Sequence, residues 1–174
     1  VVVNVYDILT DSFQKQLIPA LSFNKQVLRY DDFQISKDGS KVLLYADAEN
    51  IYRRSVLYHV YVYDFSTKQL SLLFADKVLH ASFSPNSKDI AYVFNNNLFV
   101  KNIDNEELTA ITQDGIKNEI INGNCDWVYE EEFAFVRAFD WSKDSKKVAY
   151  IRFDETEVPE FSMSIFEKNL YPTI

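Results

Sequence analysis

The densest chemistry in this chain lies in seven consecutive residues, Asp126-Trp127-Val128-Tyr129-Glu130-Glu131-Glu132. Adjacent side chains point to opposite faces of a strand but diverge by only about 100° on a helix. Glu131 and Glu132 can therefore reach one cavity only if the segment is helical. Asn124 or Asp126 can act as an N-cap, which predicts a short helix from about Trp127 to Phe133. Two carboxylates drawn to one point repel each other, and the arrangement is stable only with a cation between them. No His or Asn/Asp ladder accompanies the run, so a metal ion fits poorly and a primary ammonium fits better. The alternative is that Glu130 to Glu132 form a solvated acidic face, as most charge runs do.

Other chemistries are scarce. Cys125 is the single cysteine, so it has no internal disulfide partner, and the isolated His59 and His80 give it no general base. The three glycines, Gly39, Gly115 and Gly123, are too far apart for a phosphate-cradling loop or a G-x-S-x-G elbow, and no cofactor is expected. With 18 Lys+Arg against 26 Asp+Glu the net charge is −8, and basic residues cluster no further than Arg53-Arg54 and Lys146-Lys147. That excludes a nucleic-acid surface. There is no run of 18 apolar residues, so no membrane span is expected. The start Val1-Val2-Val3 lacks a Met and a charged n-region, the expectation for a mature protein or an excised piece.

The elements that must position these residues show in an internal repeat. Ile35-Ser36-Lys37-Asp38-Gly39-Ser40-Lys41-Val42 aligns without gaps to Phe83-Ser84-Pro85-Asn86-Ser87-Lys88-Asp89-Ile90 and to Trp141-Ser142-Lys143-Asp144-Ser145-Lys146-Lys147-Val148. In each copy an apolar residue closes a strand, Ser-x-Asp/Asn-Gly/Ser makes a tight turn, and an apolar run opens the next strand. Between copies lies a second hairpin: Tyr58 to Asp64 with Gln69 to Phe74, then Leu98 to Ile103 with Leu108 to Thr112. Val2 to Asp7 with Gln16 to Leu21 resembles an earlier one. The aromatic content of 16% suits pleated, half-buried strands.

Two hairpins per period make four antiparallel strands, the pattern of β-propeller blades. The reading is all-β: about three four-stranded blades of a partial β-propeller, with a short inserted helix. The blade parts are approximately 1–28, 29–80, 81–120 and 121–174. A β-sandwich with coincidental turns is the alternative. WD40 repeats fit poorly, since the Asp-Trp pairs at Asp126-Trp127 and Asp140-Trp141 have the wrong order and place. About three blades cannot close a ring, so the chain is expected to be a fragment of a longer protein with open sheet edges.

The repeat serines stand 48 and then 58 residues apart, and the ten extra residues fall within Asn118 to Phe135, where the glutamates lie. An insertion that interrupts a repeat is where such folds often carry function. The heptapeptide resembles the double-Glu motif of the dipeptidyl peptidase IV branch of the prolyl oligopeptidase family. The likeness extends to Trp141-Ser142, to Asp154-Glu155-Thr156-Glu157-Val158-Pro159 and to Ser84-Pro85 through Asn96, covering roughly residues 29 to 172. It implies an eight-bladed propeller capping an α/β-hydrolase domain in a homodimeric serine exopeptidase. Such an enzyme removes N-terminal dipeptides with Pro or Ala second. By the same resemblance Glu131 and Glu132 hold the free α-ammonium of the peptide substrate.

A second position carried by the resemblance is Arg53 of Tyr52-Arg53-Arg54-Ser55, aligned with an Arg that contacts a backbone carbonyl of the substrate. An exposed loop charge is the alternative. No part of a Ser/Asp/His triad is identifiable, so the isolated chain is expected to be inactive. Two departures stand out from the animal enzymes: Phe133 to Arg137 is about one residue shorter, and their disulfide cysteines are missing. Both suit a bacterial homologue, periplasmic or secreted. A non-enzymatic protein-binding propeller is the competing class.

Overall fold

The computed structural model describes residues 3–161. An N-terminal hairpin pairs β1 (Val3–Asp7) with β2 (Ser12–Ile18), and a short pair follows, β3 (Ser22–Phe23) with β4 (Gln26–Val27). The second strand of the first hairpin begins earlier than the expected Gln16, because the Asp7 carboxylate accepts the N–H groups of Leu9 at 2.8 Å and Thr10 at 3.1 Å and turns the chain at once. It ends at Ile18, before Pro19, which has no N–H to donate to a ladder.

Two antiparallel four-stranded sheets come next. The first runs β5 (Asp32–Ile35), β6 (Lys41–Asn50), β7 (Val56–Asp64), β8 (Leu70–Leu72), and the second β9 (Leu79–Phe83), β10 (Asp89–Phe94), β11 (Asn97–Asn102), β12 (Leu108–Ala110), each in sequence order. β13 (Ile120–Asn122), α1 (Trp127–Phe133), β14 (Phe139–Trp141), β15 (Val148–Tyr150) and β16 (Arg152–Asp154) complete the described residues. β14 pairs with β15, while β16 returns to pair with β13, so the helix is inserted inside this last unit.

The blades stack because their central strands are apolar on both faces. In β6, Leu43 faces one way and Val42, Leu44 and Ala46 the other, as the two-residue period of a strand requires. Leu43 joins Val60, Val62, Phe83, Ile90 and Tyr92 in a core between the two four-stranded sheets. Val42, Leu44, Tyr61 and Tyr63 pack instead against Ile18 and Tyr30 from the N-terminal segment. Ala91, Val93 and Leu98 on the far face of the second sheet meet Phe139 of β14. Each of the two four-stranded sheets is thus covered on both sides by its neighbours, the layer arrangement of a propeller.

The repeated turn has one geometry in all three copies. The hydroxyls of Ser36, Ser84 and Ser142 donate to Asp38, Asn86 and Asp144 at 2.7, 2.7 and 2.6 Å, and accept the N–H groups of Lys41, Asp89 and Lys147 at 2.9, 3.0 and 2.9 Å. The fourth turn position is left-handed each time, with φ of 72° at Gly39, 63° at Ser87 and 60° at Ser145. The serines at this position do more than turn the chain. Ser87 Oγ accepts the N–H of Asp38 at 3.3 Å, and Ser145 Oγ accepts that of Asn86 at 2.9 Å, so each turn is tied to the one in the preceding blade.

Candidate functional site

A seven-residue helix is marginal by itself in water, and α1 is held by contacts at both ends. Asp126, not Asn124, is the N-cap: its carboxylate accepts the Tyr129 N–H at 2.8 Å. Ala134 closes the helix in the left-handed region at φ 53°. The excursion is pinched at its base by a bridge between Asn124 and Arg137, by Cys125 N–H to Val136 O at 3.2 Å, and by the Cys125 thiol donating to Phe135 O at 2.6 Å. Asn124 Oδ1 in turn meets His80 Nε2 of β9 at 2.8 Å. Tyr129 packs edge-on against Phe153 of β16, with ring centroids 5.0 Å apart.

Glu130 does what the sequence does not disclose. Its side chain is fully buried, and its carboxylate accepts the Ser55 N–H at 3.0 Å together with the Arg54 N–H and the Ser55 hydroxyl. Burial by itself would raise its pKa, but these three donors favour the anion more strongly and hold it below the ordinary glutamate value. A face in which Glu130 to Glu132 are all solvated is therefore corrected: the first of the three is an internal tie between α1 and the loop that follows β6. Its partners lie 75 and 76 residues away, so no local pattern separates it from its neighbours.

That tie sets the next contact. Arg53, one residue before the bound Arg54 N–H, places Nη1 3.4 Å from Glu131 Oε2. The Glu131 side chain is 18% exposed and that of Arg53 71%. Glu132 is exposed and makes no hydrogen bond or ion pair among the described residues. Arg53 and Glu131 are thus brought together, while Glu132 stands beside them on the solvent side of the helix. Two carboxylates and one guanidinium leave a net negative charge, with free carboxylate oxygens for an added cation and unused N–H donors on Arg53. Among the described residues no group of three or more His, Cys, Asp or Glu side chains is arranged to hold a metal ion.

A cavity of about 300 Å³ lies beside the N-terminal end of α1, lined in part by Tyr52, Asn124, Asp126, Trp127 and Glu155. Burial and the neighbouring Asp126 carboxylate push Glu155 above its ordinary value. Burial also pushes the Cys125 thiol up to about 11, aided by Glu130 and Asp126. The thiol is protonated at neutral pH, consistent with a hydrogen-bond donor and not a nucleophile.

The profile of the family described as the dipeptidyl peptidase IV N-terminal region matches residues 36–173. Dipeptidyl aminopeptidase B of Saccharomyces cerevisiae is 35% identical over 179 residues, covering 99% of this chain and 21% of the yeast protein. A Schizosaccharomyces pombe relative named as a dipeptidyl aminopeptidase is 31% identical over 88% of this chain and 20% of its own. The crystal structure of Porphyromonas gingivalis dipeptidyl peptidase 4 superposes with a TM-score of 0.86 at 35% identity, over 96% of this chain and 24% of that one. The chain therefore spans about a fifth to a quarter of the proteins it matches. The expected periplasmic or secreted location of a bacterial homologue is overturned by these curated relatives, which are fungal dipeptidyl aminopeptidases. A lone buried cysteine is compatible with any compartment, so it was no guide. No helix of the described residues is long and apolar enough to cross a membrane.

Proposed function

This chain belongs to the dipeptidyl peptidase IV N-terminal region family, and from that premise we propose that it supplies substrate recognition to a serine exopeptidase. The enzyme releases N-terminal dipeptides of the Xaa-Pro and Xaa-Ala type. Glu131 and Glu132 receive the free α-ammonium of the peptide. Arg53 steadies Glu131 and turns its remaining donors to a backbone carbonyl of the substrate. Acyl transfer by a Ser/Asp/His triad belongs to a hydrolase part outside this chain, in an enzyme that works as a homodimer.

The observation that carries this reading is the 3.4 Å contact between Arg53 and Glu131, on a helix locked to the Arg53 loop by Glu130. A carboxylate pair on a rigid support, with Glu131 partly shielded and Glu132 exposed, favours a cationic ligand. A ligand with a free amino terminus neutralises the net negative charge left by Glu131, Glu132 and Arg53, whereas a blocked or internal chain brings no cation to it. The same logic gives exopeptidase selectivity without any contact to the rest of the peptide.

The test uses the full-length enzyme. Glu131→Gln and Glu132→Gln should each lower kcat/KM on Xaa-Pro substrates by roughly 100-fold or more, the loss of a charge-assisted contact, with unfolding temperature unchanged. Wild-type turnover in either variant refutes the assignment.

A further inference from the structure

A second cavity, of about 310 Å³, is lined by Arg54, the neighbour of Arg53 in the chain, and differs in charge from the candidate amine site. Arg54 and Arg137 both line it, with Asp32 as the single carboxylate, so its wall is net cationic. Neither guanidinium is strongly engaged: among the described residues Arg54 has no side-chain ion pair, and Arg137 meets only the exposed Asp140 at 3.8 Å and the Phe139 ring. Ser82, only 4% exposed, also lines the cavity, and its hydroxyl has no hydrogen-bond partner among the described residues. A buried, unpaired hydroxyl is costly unless something supplies its partner.

The lining is also rigidly placed. Gln34 belongs to β5 and spends its carbonyl oxygen on the Phe83 N–H at 3.1 Å, which leaves its amide N–H groups as donors. His80 sits in the left-handed region at φ 57°, where a residue with a side chain persists only if its surroundings hold it, and here Asn124 does so. Arg54 connects the two sites: it lines this cavity, while its N–H is bound by Glu130, one residue before Glu131.

We propose that the cavity between Arg54 and Arg137 is a carboxylate-binding subsite for the peptide whose amino group is held at Glu131 and Glu132. This inference rests on the proposed function for its amine anchor. The carboxylate has two possible sources in such a peptide: an acidic side chain on the first residue, or the C-terminal carboxylate of a released dipeptide. Two guanidiniums and neutral donors from Ser82 and Gln34 match the planar, multi-acceptor geometry of either one.

The test is calorimetric binding to the full-length enzyme of three ligands that it cannot cleave. Glu-pyrrolidide against Gln-pyrrolidide reads the side-chain source, and Gln-Pro against Gln-pyrrolidide reads the C-terminal source. At least one carboxylate ligand should bind about tenfold or more tightly than its neutral match. That preference should fall to near unity in Arg137→Gln and Arg54→Gln and return partly in Arg137→Lys, with unfolding temperatures confirming that each variant folds. Glu131→Gln should weaken all three ligands alike and leave the preference standing. If Glu131→Gln changes nothing while the carboxylate preference persists, the amine reading fails and the subsite survives. Equal binding of acidic and neutral ligands in wild type, or a preference retained in both glutamine variants, overturns the subsite.

Discussion

The Glu130 carboxylate and the Ser55 backbone N–H, 75 residues apart in sequence, meet at 3.0 Å, and that contact decides where the acidic helix stands. Through it α1 is fixed to the loop carrying Arg53, so the Arg53 to Glu131 geometry depends on a buried residue that touches no ligand. Glu130 is a positioning residue, and several consequences can be measured.

Glu130→Gln in the full-length enzyme keeps the shape of the side chain but weakens three hydrogen bonds that now favour an anion. Its expected cost is about 1.5–3 kcal/mol of local stability. Faster amide exchange in residues 127–133 should accompany a raised KM for Xaa-Pro substrates. An unchanged exchange rate with a raised KM would mean that Glu130 does not act through the helix.

The same residue predicts an acid sensitivity. The pKa of Glu130 is held below its ordinary value of 4.5, so its contribution to stability is fully present above that value and is lost as pH falls through the lower folded-state pKa. The stability difference between wild type and Glu130→Gln should therefore be constant from pH 7 down to about 5 and shrink below that. Denaturant melts of the two proteins across this range check the sign.

Arg53→Gln separates binding from stability. Its side chain is 71% exposed, and exposed ion pairs contribute roughly 0–1 kcal/mol, so the unfolding midpoint should barely move. The kcat/KM for free-amine substrates should fall, with most of the loss in KM. A large drop in unfolding temperature would show that Arg53 supports the fold instead.

Tyr92 offers a test of the core. It is fully buried, and its hydroxyl has no partner among the described residues; burial pushes its pKa up to about 12. Tyr92→Phe removes an unpaired polar atom and should leave stability unchanged or raise it by up to about 1 kcal/mol. Tyr92→Ala, which opens a cavity between the two four-stranded sheets, should cost about 3–5 kcal/mol. Chemical denaturation of both variants reads the difference.

The serine ties between turns meet in the Ser84 turn and should be coupled. Ser87→Ala and Ser145→Ala each remove one acceptor between successive blades and should cost about 0.5–1.5 kcal/mol apiece. Because Asn86 and Ser87 are neighbours in one turn, the two effects are coupled, and the double variant should depart from the sum of the single effects.

The sequence by itself determined whatever is built from neighbours in the chain. The Ser36, Ser84 and Ser142 turns, the strand pairs around them and the helix Trp127–Phe133 were all legible, because their hydrogen bonds close within a few residues and depend on local residue types. Strand ends were less legible, as the early start of β2 at Ser12 shows, since a single carboxylate at Asp7 moved the turn. Only the tertiary structure decided which of three consecutive glutamates would be internal. Glu130, Glu131 and Glu132 are alike in type and adjacent in sequence. Their different environments come from Ser55 and Arg53, on a strand connection of another blade. A contact between blades is set by how their apolar faces stack, and no periodicity within a seven-residue helix can report it.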